Sequence, residues 1–206
     1  MKIIVLSSPH HKENEISETV KMFEEGLEIF HARKPSFSKK EMIEYLESFP
    51  KHYRSKIVIH SYHQLAKKYT LRGIYLSRKH RQRNRIYKIK LFLFRKLNPN
   101  ILVSRSFSKI SDLLHPESGF DYVFLNPIFD SASSHHLSGG FNSKTLQNAN
   151  KEAEYKVIAM GGITPENLDK VAEMGFYGAA LLGAIWNTEE QPSKVFLRVK
   201  KLLPSL

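Results

Sequence analysis

The chain has 206 residues, with 32 Lys and Arg against 20 Asp and Glu, a formal net charge of +12 and no cysteine. The absence of cysteine excludes disulfides, thiolate nucleophiles and cysteine-ligated metal sites. Only four consecutive apolar residues follow the N-terminal lysine, fewer than a signal peptide or a membrane span needs. We therefore expect one cytoplasmic domain spanning residues 1–206, with no membrane association.

Eight short apolar runs, rich in β-branched residues, predict eight strands. They are Lys2–Leu6, Leu27–His31, Lys56–His60, Gly73–Leu76, Ile101–Ser104, Asp121–Leu125, Lys156–Met160 and Gly178–Leu182. The runs are continuously apolar and do not alternate with polar residues, which is typical of parallel strands buried on both faces.

Segments with helical periodicity separate these strands and include residues 13–25, 38–49, 165–174 and 191–203. Ser38 and Glu41 have the spacing of a capping box, and Thr164 followed by proline is a typical helix start. The alternation predicts a single (β/α)8 TIM barrel near its minimum length, and an open doubly wound sheet is the alternative. Residues 78–90 are too charged for the usual helix after a fourth strand.

A glycine turn after the seventh predicted strand, at residues 161–163, is the sharpest local motif. Backbone N–H groups in such a turn, together with Gly183 after the eighth strand, can approach a phosphate closely. The alternative is a tight strand-to-helix turn with no ligand. Arg33 and Lys34 directly follow the second strand, where two cations could neutralise a phosphate or form a surface salt bridge.

Histidines supply the candidate acid–base groups. His60 ends the third strand, as a catalytic group or as a cap of that strand, and His135 lies beside a second histidine in a serine-rich loop. The alternative for His135 is an ordinary polar loop. Neither the spacing nor nearby acids favour metal ligation by these histidines, and we predict no metal ligand.

The positive charge is concentrated in one third of the chain. Between Glu47 and Asp112 there is no carboxylate, but there are 17 Lys and Arg residues. This distribution favours contact with a polyanion, and the run 78–96, which interleaves aromatic residues with cations, could bind nucleic acid. A solvated basic face is the commoner explanation of such a run.

Five segments together resemble the family of thiamin phosphate synthase and its TenI relatives. They are residues 30–33 (FHAR), 73–76 (GIYL), 120–129 (FDYVFLNPIF), 158–164 (IAMGGIT) and 178–185 (GAALLGAI). The similarity follows the order of elements over essentially the whole chain. It implies a (β/α)8 barrel that binds small phosphorylated substrates of thiamin biosynthesis.

The resemblance also implies roles for individual residues. A thiazole phosphate would be held by Gly161, Gly162, Ile163 and Gly183, and the Mg²⁺–diphosphate of a pyrimidine substrate partly by the arginine matching Arg33. His31, Ser104, Ser131 and Ser133 fall at other positions of the family's substrate site. However, the family's Mg²⁺ ligands after strands three and four are replaced by His60-Ser61 and by a residue near His80.

Three functions remain open on the sequence. The first is a synthase-type transferase that couples hydroxymethylpyrimidine diphosphate to thiazole phosphate and releases diphosphate. The second is a TenI-like thiazole tautomerase, or a phosphate-ligand binder that has lost its activity. The third, from a different class, is a binder of nucleic acid or another polyanion through the basic residues 51–109. The sequence does not determine the oligomeric state.

Overall fold

The computed structural model describes residues 1–77, 85–114, 119–130 and 141–203, with the backbone alone for residues 85–88. Eight parallel strands close into a barrel in the order β1 to β8, and β8 pairs with β1. The strands are β1 (Lys2–Leu6), β2 (Ile29–Ala32), β3 (Ile57–Ile59), β4 (Gly73–Leu76), β5 (Leu102–Phe107), β6 (Tyr122–Leu125), β7 (Val157–Met160) and β8 (Gly178–Leu181). The predicted (β/α)8 barrel is confirmed, and the open sheet is wrong.

Helices surround the barrel. They are α1 (Glu15–Glu24), α2 (Lys39–Glu47), α3 (Leu65–Lys68), α4 (Arg85–Leu97), α5 (Ser143–Glu152), α6 (Leu168–Glu173), α7 (Gly183–Trp186) and α8 (Pro192–Leu202). Short 3₁₀ helices cover Lys51–Lys56, Ile110–Asp112 and Pro165–Asn167. Among the described helices none is long and apolar enough to cross a membrane.

The start of α2 follows its predicted capping signal. The Ser38 hydroxyl accepts a hydrogen bond from the backbone N–H of Glu41, and the Glu41 carboxylate accepts one from the N–H of Ser38. This capping box satisfies N–H groups that α2 leaves without intrahelical partners. The segment predicted as one helix over 165–174 differs, because its first turn is a 3₁₀ helix and α6 begins at Leu168.

The prediction that residues 78–90 are too charged for the usual helix after β4 was wrong for the described part of this segment. The described part of that segment is helical from Arg85 onward, while residues 78–84 lie outside the described residues. Leu91 and Phe94 pack against the core, and the Arg95 guanidinium binds both carboxylate oxygens of Asp121 at 2.5 and 3.1 Å. These contacts explain how a highly charged segment is held against the barrel as a helix.

The strands divide their side chains between two hydrophobic cores. On β1, Ile3 and Val5 face outward into the large core beneath the helices, whereas Ile4 and Leu6 face the barrel interior. The interior cluster consists of Ile4, Leu6, Tyr122, Phe124, Ile158 and Ala180. Because successive side chains of a strand point to opposite faces, burial on both faces requires the continuous apolar runs seen in the sequence.

Glu18 connects α1 to the start of α8. Its carboxylate accepts hydrogen bonds from the Gln191 amide at 2.8 Å, the Ser193 backbone N–H at 3.0 Å and the Lys21 ammonium at 2.7 Å. Burial opposes ionisation, but these hydrogen bonds outweigh it and lower the pKa of Glu18 from 4.5 to about 2. Ionised Glu18 therefore stabilises the fold above pH 4.5, and this contribution is lost as the pH falls through 2.

Glu18→Gln is accordingly expected to lower the free energy of unfolding by about 2–3 kcal/mol at neutral pH. The deficit relative to the unmodified protein should shrink in acid, because protonation removes the same charge from the unmodified protein. Urea unfolding followed by circular dichroism across a series of pH values measures both quantities. A deficit that stays constant with pH would contradict this role of the carboxylate.

Candidate active site

A cavity of about 470 Å³ opens at the carboxyl ends of the strands, where (β/α)8 barrels carry their active sites. Its size suits a small organic ligand. It is lined by Leu6, Arg33, His60, Tyr75, Ser106, Phe124, Asn126, Met160, Gly161, Gly162, Ile163, Ala180, Leu182, Gly183 and Ala184. Apolar and aromatic side chains thus form its floor, and the glycine turns after β7 and β8 form one wall.

The turn after β7 requires glycine, because of its backbone conformation and its close contact with a neighbouring loop. Gly161 and Gly162 both have positive φ, at 92° and 67°, a conformation that costs residues with a side chain energy. A Cβ atom on Gly161 would also lie 2.7 Å from the side-chain oxygen (Oδ1) of Asn126 and 2.8 Å from Pro127. The loop after β6 closes on this turn, since the N–H of Ile128 donates to the carbonyl of Met160 at 2.9 Å.

Asn167 holds the next part of this turn in place. Its side-chain amide donates to the carbonyl of Gly162 at 2.8 Å, and its side-chain oxygen accepts from the N–H of Thr164 at 2.9 Å. Within the described residues, the N–H groups of Gly162, Ile163 and Gly183 have no hydrogen-bond acceptor. Oriented N–H groups at the edge of a cavity are suited to an anion such as a phosphate.

A relay of hydrogen bonds runs from the barrel interior to the cavity. The Tyr122 hydroxyl lies 2.6 Å from Nε2 of His31, and Nδ1 of His31 lies 2.9 Å from Nε2 of His60. His31 is fully buried, whereas His60 lines the cavity. Because each contact holds one hydrogen between two atoms, the tautomers of the two rings depend on each other.

The two histidines are neutral near pH 7. Burial lowers the pKa of His31 to about 3. Burial, with further contributions from His31, Arg33 and His63, lowers the pKa of His60 well below its usual range. A neutral imidazole can accept or donate a hydrogen bond at the cavity, but it contributes no charge there.

Tyr75 positions His60 from the other side. The two rings stack with centroids 4.1 Å apart and an interplanar angle of 16°. The Tyr75 hydroxyl lies 2.7 Å from the hydroxyl of Ser106, which also lines the cavity. His60 is therefore held by a ring on one face and by His31 at Nε2, so its orientation is set before any ligand binds.

Arg33 and Lys34 have different environments although they are neighbours in sequence. Arg33 is exposed and lines the cavity. Lys34 is buried and is not among the cavity residues. Its ammonium forms an ion pair with Glu15 and donates to the carbonyls of Ser8 at 2.8 Å and His10 at 3.0 Å. Of the two predicted cations, only Arg33 is placed to meet a ligand.

Comparison with known proteins agrees with this geometry. The chain matches the family described as thiamine monophosphate synthase over residues 3–185. It belongs to the thiamine monophosphate synthase family.

Individual members of the family are similar over most of their length. The chain is 24% identical over 172 residues to the putative thiamine-phosphate synthase 2 of Aquifex aeolicus, covering 82% of this chain and 88% of that protein. Its structure is similar to that of thiamine phosphate pyrophosphorylase from Bacteroides thetaiotaomicron, with a TM-score of 0.78, 28% identity and coverage of 98% and 97% of the two chains. The Pyrococcus furiosus pyrophosphorylase has a TM-score of 0.77 at 18% identity over 98% and 94% of the chains, which shows the fold.

Of the site residues that the family resemblance implied, Arg33, Gly161, Gly162, Ile163 and Gly183 lie at the cavity, as does His60, which was predicted from its position at the end of a strand. Two do not. Ser104 is fully buried within β5, because that strand continues to Phe107 and brings Ser106 to the cavity in its place. His31 lies beneath His60 and reaches the cavity only through it. Ser131, Ser133 and His135 lie outside the described residues.

Tyr75 and Tyr122 are site residues that the sequence analysis did not select. Both lie within strands, where an aromatic residue is the ordinary occupant of a core position. One signal in the sequence could have identified them. A tyrosine in a strand of the barrel interior needs a hydrogen-bond partner for its hydroxyl, which distinguishes it from an ordinary core residue. The histidine partner of Tyr122 is 91 positions away in the sequence, so the pair becomes visible only in the folded chain.

The cavity residues do not fit the Mg²⁺ ion expected for the synthases of this family. Mg²⁺ prefers carboxylate oxygens and water as ligands. No carboxylate occurs among the described cavity residues, and no cluster of three potential ligand side chains is found in the described part of the chain. The position after β3 carries His60, whose Nε2 is already bonded to His31.

Proposed function

We propose that the cavity binds thiazole phosphate and that the chain acts in thiamin biosynthesis as a transferase of the thiamin phosphate synthase type. The observation that carries this proposal is the pairing of two walls across one cavity. The N–H groups of Gly162, Ile163 and Gly183, which have no acceptor among the described residues, form one wall, and Arg33 with His60 belongs to the opposite side of the barrel mouth. Membership of the family supports the substrate class.

Each wall has a defined task in this reaction. The phosphate of the thiazole would accept hydrogen bonds from the glycine turns, and its ring would lie among Tyr75, Phe124 and Met160. The thiazole nitrogen then forms a bond to the methylene carbon of the pyrimidine, and the carbon–oxygen bond to diphosphate breaks with its electron pair leaving on the diphosphate. Arg33 would stabilise the negative charge of that leaving group, since a guanidinium can bind two phosphate oxygens at once.

Gly162→Asp is expected to abolish thiazole phosphate binding, because its carboxylate would stand where the phosphate is held. Isothermal titration calorimetry measures the affinity. Gly175→Asp is the matched control, since Gly175 also has positive φ, at 76°, but lies in the turn before β8, at the opposite end of the barrel. Failure of the unmodified protein to bind thiazole phosphate, or equal affinities of the two variants, would contradict the proposal.

A thiazole tautomerase is the second candidate, and the relay from Tyr122 through His31 to His60 favours it. Such a relay can hold a proton-exchanging imidazole in one orientation against a single phosphorylated ligand. Incubation with the thiazole substrate alone, followed by NMR, distinguishes the two activities. Conversion without any pyrimidine substrate identifies the tautomerase, and product formed only with both substrates identifies the transferase.

Binding of nucleic acid through the basic residues 51–109 stays a prediction, as does the cytoplasmic location. On α4, Lys90 and Lys96 are exposed beside Phe92 and Leu97, so part of this surface is apolar. Titration of labelled RNA at several salt concentrations tests the hypothesis, because phosphate contacts produce a steep decrease in affinity with salt.

A further inference from the structure

We infer that this cavity binds the diphosphate of a pyrimidine substrate without a divalent cation, the positive charge that the ion would supply coming from Arg33. The inference rests on the proposed function, because it concerns the ligand of the same cavity. It departs from the Mg²⁺ dependence that the resemblance to the synthases implies.

The first argument is the supply of carboxylates at this end of the barrel. None lines the described cavity. Residues 78–84 and 131–140, in the segments after β4 and β6, lie outside the described residues, but their sequences contain no Asp or Glu. Asp130, which precedes the second of these segments, is exposed and is not among the cavity residues. Glu15, at the start of α1, is engaged by Lys34, by the N–H of Ser8 at 2.6 Å and by the Tyr45 hydroxyl at 3.3 Å.

The second argument is that a histidine, His60, occupies the position after β3 where the related synthases have a Mg²⁺ ligand. His60 is neutral, and Nε2 of its ring faces Nδ1 of His31 at 2.9 Å. Its ring face is covered by Tyr75 at 4.1 Å. A hard cation such as Mg²⁺ gains little from a neutral nitrogen ligand that is already hydrogen-bonded, and it would have to break the relay to use that nitrogen.

The third argument is the sign of the charge at the cavity. Arg33 is the only charged residue of the described cavity lining, and the residues between Glu47 and Asp112, which include β3, β4 and β5, carry 17 cations and no carboxylate. A divalent cation would be repelled by Arg33, whereas a diphosphate would be attracted. The same charge that disfavours a metal therefore favours the ligand directly.

Calorimetric titration with hydroxymethylpyrimidine diphosphate tests the inference, with the protein in a chelator and then in millimolar Mg²⁺. We expect binding in the chelator and no increase in affinity with Mg²⁺. In a parallel titration followed by electron paramagnetic resonance, Mn²⁺ bound to the diphosphate in solution should be released when the protein is added. Affinity that increases about tenfold or more with Mg²⁺, or Mn²⁺ captured by the complex, would overturn the inference.

Arg33→Gln isolates the charge that replaces the metal. We expect it to lower the affinity for hydroxymethylpyrimidine diphosphate about tenfold or more, by the same factor with and without Mg²⁺. Arg198→Gln is the control, because Arg198 is a half-exposed residue of α8 that pairs with Glu190 at 2.9 Å. Equal affinities of the two variants would overturn the role of Arg33.

The outcomes separate this inference from the proposed function. Binding of hydroxymethylpyrimidine diphosphate only in the presence of Mg²⁺ would overturn the inference and leave the proposed function intact. An absence of binding under both conditions would overturn both.

Discussion

Lys34→Met is expected to lower the free energy of unfolding by about 3–5 kcal/mol, one of the largest effects of any single substitution in this chain. The substitution keeps the volume of the side chain but leaves the carboxylate of Glu15 buried, with a side-chain exposure of 2%, without its cation. Burial already raises the pKa of Glu15 above 4.5 despite the opposing effects of Lys34, the Ser8 N–H and Tyr45. Without the Lys34 ammonium, the burial of the charged Glu15 carboxylate is no longer compensated by an ion pair, and the folded state is destabilised.

Urea unfolding of three variants measures this effect. Glu15→Gln leaves the opposite charge unpaired, and the double variant removes both charges while keeping the volumes. We expect the double variant to be more stable than the sum of the single effects predicts, because neither charge is then buried alone. Strict additivity, or a loss below about 1 kcal/mol for Lys34→Met, would contradict a coupled buried pair.

The same variant distinguishes two roles for Lys34. If the residue serves the structure, folded Lys34→Met binds hydroxymethylpyrimidine diphosphate with unchanged affinity, since the Lys34 ammonium faces Ser8, His10 and Glu15 and not the cavity. If it serves the ligand, as the sequence suggested, the affinity decreases together with that of Arg33→Gln. Calorimetry on both variants at a temperature where each is folded separates these cases.

Local patterns in the sequence were sufficient for the barrel. Runs such as Lys2–Leu6 appear as strands because their alternate side chains fill two different cores, and this requirement shows directly in the residue types. The glycine turn at Gly161 was also visible, since positive φ at a close approach leaves few alternatives to glycine.

Interactions between distant parts of the chain explain what the sequence did not reveal. Lys34 and Arg33 look alike in sequence, and only the position of Glu15, at the start of another helix, determines which of them is buried. Ser106 lines the cavity, and the predicted Ser104 does not, because β5 ends at Phe107. The ends of strands are difficult to predict from local sequence. The relay to His60 joins β2, β3 and β6, so no single segment contains its pattern.

Gly161→Ala is expected to have the second large effect, on stability and on ligand affinity together. The left-handed backbone alone costs about 1–2 kcal/mol for a residue with a Cβ atom. At this position the Cβ would also lie 2.7 Å from the Asn126 side-chain oxygen and 2.8 Å from Pro127, and such overpacking typically costs about 1–3 kcal/mol more. Relief of the clash requires the loops after β6 and β7 to separate, which moves the N–H group of Gly162.

Gly175→Ala is the matched control for this prediction. Gly175 has a similar φ of 76°, but the nearest atom to its added Cβ is 3.9 Å away, at Asn150. The control therefore carries the backbone cost without the clash, and it lies far from the cavity. We expect Gly161→Ala to unfold at a lower urea concentration than Gly175→Ala and to bind thiazole phosphate at least about tenfold more weakly. If the two variants agree in both measurements, the contact between the loops does not position the phosphate-binding turn.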